Sequence, residues 1–147
     1  MSSDPLMSTY ISVSNAAAAI DFYASIFGAT ERMRLTEPGG RIGHAELRFG
    51  DSVLMLADEY PEFGFVGPPK LGGTPVSLHL RVDDVDAVTE RAQQAGATIE
   101  RPPEDQFYGA RSATLIDPFG HRWMIQQPIE EVSAEEMQRR FAASFRS

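Results

Sequence analysis

At 147 residues the chain is sized for one compact domain or two small fused modules, and 42% hydrophobic with 23% charged residues is ordinary globular composition. The absence of cysteine excludes disulfides, thiolate ligands and a cysteine nucleophile. Lys plus Arg number 13 against 21 Asp plus Glu, and a net charge of −8 repels phosphate backbones and anionic bilayers, so neither nucleic acid nor membrane is an expected partner.

In chain order, Met1–Leu6 has neither the basic nor the apolar segment of a secretion signal. No apolar run approaches the roughly 18 residues of a spanning helix, so a cytoplasmic location is expected. Ser8–Val13 alternates and runs into Ser14-Asn15, a strand leading to a helix cap. Ala16–Phe27 is Ala-rich, with Ile20, Tyr23 and Phe27 at helical spacing and Gly28 at the C′ position. Thr30–Leu35 reads as a strand closed by the turn Glu37-Pro38-Gly39-Gly40. Ile42–Phe49 and Ser52–Ala57 read as strands joined by Gly50-Asp51. Residues 1–57 thus form a βαβββ module.

Residues 58–74 hold four glycines and three prolines, which suits a stiffened connection or a cover over a cavity. Residues 75–128 then repeat the plan. Val76–Val82 is a strand, Asp84–Ala95 a helix ending at Gly96, and Thr98–Arg101 a strand. Arg111–Ile116 and Arg122–Gln127 pair across Asp117-Pro118-Phe119-Gly120, whose residue order is that of a turn. Residues 129–147 carry a last helix, opened by the capping box Ser133-Ala134-Glu135-Glu136 and running to about Phe145.

The two modules echo each other. Ile11-Ser12-Val13 with Asn15 returns as Leu80-Arg81-Val82 with Asp84, 69 residues on, and Gly28-Ala29-Thr30 returns as Gly96-Ala97-Thr98. Each copy is too small to bury much surface alone, so two must pack together, and their cleft is the expected place for a small-molecule ligand. Strand alternation then sorts the side chains. Ile11, Val13, Ala45, Leu47, Phe49, Val76, Leu78, Leu80 and Val82 fall to the core. Ser8, Tyr10, Ser12, His44, Glu46, Arg48, Ser77, His79 and Arg81 fall to the ligand face. In the last strand Trp123 and Ile125 separate from Arg122, Met124 and Gln126.

Paired βαβββ modules, the Ile20-Asp21-Phe22-Tyr23…Phe27-Gly28 helix and Val82-Asp83-Asp84-Val85-Asp86 resemble the vicinal oxygen chelate superfamily, which holds glyoxalase I, extradiol dioxygenases and bleomycin- and fosfomycin-resistance proteins. His44-Ala45-Glu46-Leu47, Tyr108-Gly109-Ala110-Arg111 and Asp117–Trp123 are most similar to its phosphonate-operon, glyoxalase-like branch. The resemblance implies an α+β fold in which two tandem βαβββ modules form an eight-stranded, cup-shaped sheet, with a C-terminal helix added. It also implies a homodimer, which the open sheet edges of small modules favour as well.

Metal-dependent members place His, Gln or Glu on the first and fourth strand of each module. The matching positions here are Ser8, Met55, Ser77 and Met124, none of which replaces imidazole or carboxylate on a divalent metal. Two readings follow. The first is a metal-independent binder, with no cofactor, of an organic ligand held by Tyr10, His44, Glu46, Met55, Ser77, His79, Arg111 and Met124, with Arg111 as a possible anion clamp or a plain salt bridge. The second is a lyase, isomerase or dioxygenase using either a displaced metal, for instance on His44, Glu46 and His79, or metal-free acid–base catalysis from Glu46 with a histidine partner.

Overall fold

The computed structural model describes residues 4–146, so residues 1–3 and 147, at the outer ends of the first and last expected segments, lie outside the described residues. The chain divides into two compact units. One runs through Pro75 and takes in the turn Pro118–His121; the other comprises Val76–Asp117 and the chain from Arg122 onward.

In the first unit, β1 (Thr9–Val13) leads to α1 (Ala16–Phe27), then β2 (Thr30–Thr36), β3 (Ile42–Phe49) and β4 (Ser52–Asp58). The sheet order is β1-β4-β3-β2, with β1 parallel to β4 and the other neighbours antiparallel. The helix starts where Asn15 accepts the Ala18 N–H at 3.1 Å and stops at Gly28, whose φ of 74° needs no Cβ. Its apolar stripe (Ala16, Ala19, Ile20, Phe22, Tyr23 and Ile26) is buried. Phe119, from the turn that belongs to this unit, sets its ring edge-on to Phe22 and Tyr23. A second tie joins helix and sheet: Asp58 accepts the N–H groups of Ala16 and Ile42, both at 2.7 Å.

The second unit has the same order. β5 (Ser77–Arg81), α3 (Val85–Gln94), β6 (Thr98–Asp105), β7 (Ala110–Ile116) and β8 (Arg122–Pro128) give a sheet ordered β5-β8-β7-β6. Asp84 caps α3, accepting the Ala87 N–H. Gln127, 69 residues after Asp58, accepts the N–H of Val85, 69 residues after Ala16, at 3.0 Å. The repeat therefore preserves the helix-to-sheet tie while replacing the carboxylate by an amide.

The eight strands divide four and four between two sheets. Two local expectations are corrected. β6 continues past Arg101 through Pro102 and Pro103, because at a sheet edge a missing N–H costs no ladder bond, and the register shifts on both sides of Arg101 absorb the misfit. β5, also an edge strand, does not bury its apolar set: Val76 is 54% exposed, while Leu78, Leu80 and Val82 are half-buried.

Between β4 and β5 lie a 3-10 turn at Pro61–Phe63 and a short helix, α2 (Pro68–Leu71). At the C-terminus α4 spans Ala134–Ala143, two residues short of the expected Phe145, and is capped by Ser133, which accepts the Glu136 N–H. Arg140 ties it down through Glu130 and the Phe107 carbonyl, while the guanidinium groups of Arg139 and Arg140 pull the Glu136 carboxyl down to about 2. No helix among the described residues is long and apolar enough to cross a membrane.

Candidate functional site

Register decides which side chains meet. In the first sheet Tyr10 (β1) lies opposite Met55 (β4), Met55 opposite Glu46 (β3), and Glu46 opposite Met33 (β2). The adjacent row, Ile11, Leu56 and Ala45, is buried and faces the other way, toward the helix side. Tyr10, Met55 and Glu46 therefore share one face, as the alternation predicts for Tyr10 and Glu46.

On that face three polar groups form a chain. The Tyr10 hydroxyl is 2.8 Å from His44 Nδ1, and His44 Nε2 is 2.7 Å from Glu46 Oε2. Glu46 also faces Arg32, whose guanidinium is 3.5 Å away and pairs with Asp4. Burial first, then the negative charge of Glu46, holds the Tyr10 phenol above its usual range. One step along β1, the Ser12 hydroxyl is buried with no hydrogen-bond partner among the described residues.

Beside this chain is a cavity of about 510 Å³ lined by Tyr10, Gly43, Ala57, Tyr60, Phe63 and Phe65. Tyr10 sits edge-on to Phe65, and the Tyr60 backbone bridges to Phe65. Tyr60 is braced from outside: its hydroxyl bonds Glu37, and the Arg41 guanidinium lies 3.8 Å over its ring. Gly43 leaves room for Tyr60, since a Cβ there would come within 3.0 Å of the Tyr60 hydroxyl. Tyr10 is thus both wall and polar end of the cavity. Arg32, Tyr60, Phe63 and Phe65 were outside the sequence-derived set. For Tyr60, Phe63 and Phe65 the only signal is the aromatic content of the Pro- and Gly-rich connection; Arg32, on β2, carries none.

The other expected site residues belong to the second unit. His79 lies opposite Met124, and Met124 opposite Thr114; Ser77 lies opposite Arg122. Ser77, His79 and Met124 are exposed. Arg111 is engaged by Asp86, at 2.7 and 2.9 Å, and by Asp105 at 3.0 Å, and these carboxylates push its pKa further up. His121 bonds the Ser12 carbonyl, and Asp117 accepts the indole N–H of Trp123, so the turn between them is structural.

The donor positions of the metal-dependent pattern do not fit a metal. Ser8 precedes β1, Met55 lies between Tyr10 and Glu46, and Met124 between His79 and Thr114, so the pattern's own positions supply thioether and hydroxyl groups rather than imidazole and carboxylate. Among the described residues no group of three or more His, Asp or Glu side chains is placed to hold an ion.

The chain belongs to the Glyoxalase/Bleomycin resistance protein/Dioxygenase superfamily, which it matches over residues 5–125. An uncharacterized protein of Mycobacterium bovis is 44% identical over 138 residues, 92% of this chain and 91% of its own. TioX from Micromonospora sp. ML1 superposes with a TM-score of 0.65 at 27% identity, over 84% of this chain and 98% of its own. Protein PA1353 from Pseudomonas aeruginosa gives 0.69 at 25% identity, over 86% and 100%. The superfamily hosts many chemistries, so membership leaves the function to the site.

Proposed function

We propose that the chain binds a planar, largely apolar organic molecule in the aromatic cavity of the first unit, without the metal of its metal-dependent relatives. The observation that carries this reading is the Tyr10–Tyr60–Phe65 wall ending on a polar chain, a mixture that suits an amphipathic ligand. The cavity lies within the volume range of small-molecule sites. The weak donor set at Ser8, Met55, Ser77 and Met124 supports the metal-independent part. The motifs around His44, Tyr108 and Asp117 support placement in the phosphonate-operon branch.

A thermal-shift screen of planar aromatic metabolites and antibiotics is the direct test. A ligand present at about 100 times its Kd should stabilise the protein by about 2.7 kcal/mol, and Phe65→Ala should remove most of that gain. Silence across a broad panel would remove the reading.

The protein is also proposed to be a homodimer. β2 is exposed along its whole length and displays Met33 and Leu35, an edge that a partner could cover. Light scattering at micromolar concentration should give the mass of two chains; a stable single-chain mass would refute the dimer.

A further inference from the structure

The polar chain on the first sheet has a direction. A carboxylate oxygen only accepts, so the contact with Glu46 places the His44 ring proton on Nε2. Nδ1 is then an acceptor, and the Tyr10 phenol donates to it. The sequence Glu46–His44–Tyr10 ends on a tyrosine that lines the cavity and is 45% exposed. The second unit lacks it: the register puts Thr114 where Glu46 stands, Ser112 where His44 stands, and His79 where Tyr10 stands. The repeat has kept the scaffold in both units and the titratable chain in one.

We infer that Tyr10, His44 and Glu46 form a proton-transfer centre acting on a planar, conjugated carbon or oxygen acid held in the aromatic cavity. This rests on the binding reading above. In the step, the Tyr10 oxygen takes a proton from the ligand's C–H or O–H as its own proton passes to His44 Nδ1. The bonding pair stays on the ligand as an enolate or phenolate, and the imidazolium is held by the Glu46 carboxylate. Returning the proton to another atom of the ligand completes an isomerisation. Burial and the charge of Glu46 both oppose a free Tyr10 phenolate, which favours coupling the two transfers. Arg32 and Asp4, the other charged groups at Glu46, offset each other and leave the carboxylate as the counter-charge for His44. Tyr10 is the catalytic residue here; Glu46 is a positioning residue that sets the His44 tautomer.

The test uses the full chain and nitrobenzisoxazole, whose ring opens when a base removes its C–H proton. The N–O bond breaks, coloured cyanonitrophenolate forms, and no cofactor is needed. Nitroindole, of similar shape and inert, reports binding by equilibrium dialysis. Wild type should turn over the benzisoxazole with saturation. Tyr10→Phe should lower kcat about a hundredfold or more with KM nearly unchanged. His44→Gln should match it, and Glu46→Gln should lose less of kcat, again without a rise in KM. Melting temperatures check that each variant folds; should Tyr10→Phe melt early, Glu46→Gln decides. Turnover that survives Tyr10→Phe overturns the relay and leaves the binding pocket standing, as does nitroindole binding without turnover in the wild type. A wild type that neither binds nitroindole nor opens the ring overturns both readings.

Discussion

Leu47→Ala should cost about 2–5 kcal/mol of stability, a large share of what a domain of this size possesses. Leu47 is fully buried on β3, opposite Leu54 on β4, on the face of the sheet that packs toward α1. Truncation removes the transfer energy of three carbons and leaves a cavity that neighbours held in two strands fill poorly. Its neighbour Glu46 projects from the other face, so Glu46→Gln removes no apolar packing and, weakening one charge-assisted hydrogen bond to His44, should cost about 1.5 kcal/mol. Urea unfolding of the two variants compares them directly, the loss appearing as a lower midpoint at constant slope. If Leu47→Ala proved as stable as wild type while Glu46→Gln unfolded, the two faces of the first sheet would be exchanged and the proposed site would go with them.

Asp58→Ala is the second large effect, at roughly 3–5 kcal/mol. Its two carboxylate oxygens each accept one backbone N–H at 2.7 Å, from the first turn of α1 and from the start of β3. A hydrogen bond to a charged group contributes about 1.5–3 kcal/mol, and deletion leaves two donors beside buried Ala16 and Ile42 without an acceptor. Asp58→Asn keeps one carbonyl oxygen but turns an amide N–H toward the other donor, so about half the loss should return. Gln127→Ala, at the equivalent place in the second unit, removes one longer bond at 3.0 Å and should cost about 1 kcal/mol. Chemical denaturation ranks the three. Equal losses from Asp58→Ala and Gln127→Ala would show that the carboxylate contributes no more than the amide.

Much of the fold was legible in the residues. Asn15, Gly28, Asp84 and Ser133 mark helix ends by local chemistry, since a side-chain oxygen or a left-handed glycine acts within a few residues of itself. The β1 and β3 alternation assigned Ile11, Val13, Ala45 and Leu47 to the core because a strand has a period of two whatever surrounds it. The same rule misjudged Val76, Leu78, Leu80 and Val82. Periodicity says which residues share a face, but not how fully another layer covers it: β1 and β5 are both edge strands, yet Ile11 and Val13 are buried while Leu78, Leu80 and Val82 are half-buried.

The candidate site divides along the same line. Tyr10, His44 and Glu46 could be named from the sequence because pleating places them on one side of their strands, and Met55 because it matches a ligand position of the resembling family. That Glu46 can orient the His44 imidazole follows from their spacing of two on one strand, but that Tyr10, 34 residues away, reaches Nδ1 of the same ring was settled by the order β1-β4-β3 in the sheet. Phe65 and Tyr60 come from an irregular connection, where no period constrains the side chains and only the folded path brings them to Tyr10. The sequence by itself determined two βαβββ copies, their helix caps and the polarity of each strand face, because these follow from local backbone chemistry and a short repeat. Tertiary structure alone decided that Tyr10 meets His44, which apolar strands are covered and where the aromatic wall closes, because each depends on contacts between segments whose relative placement no local rule specifies.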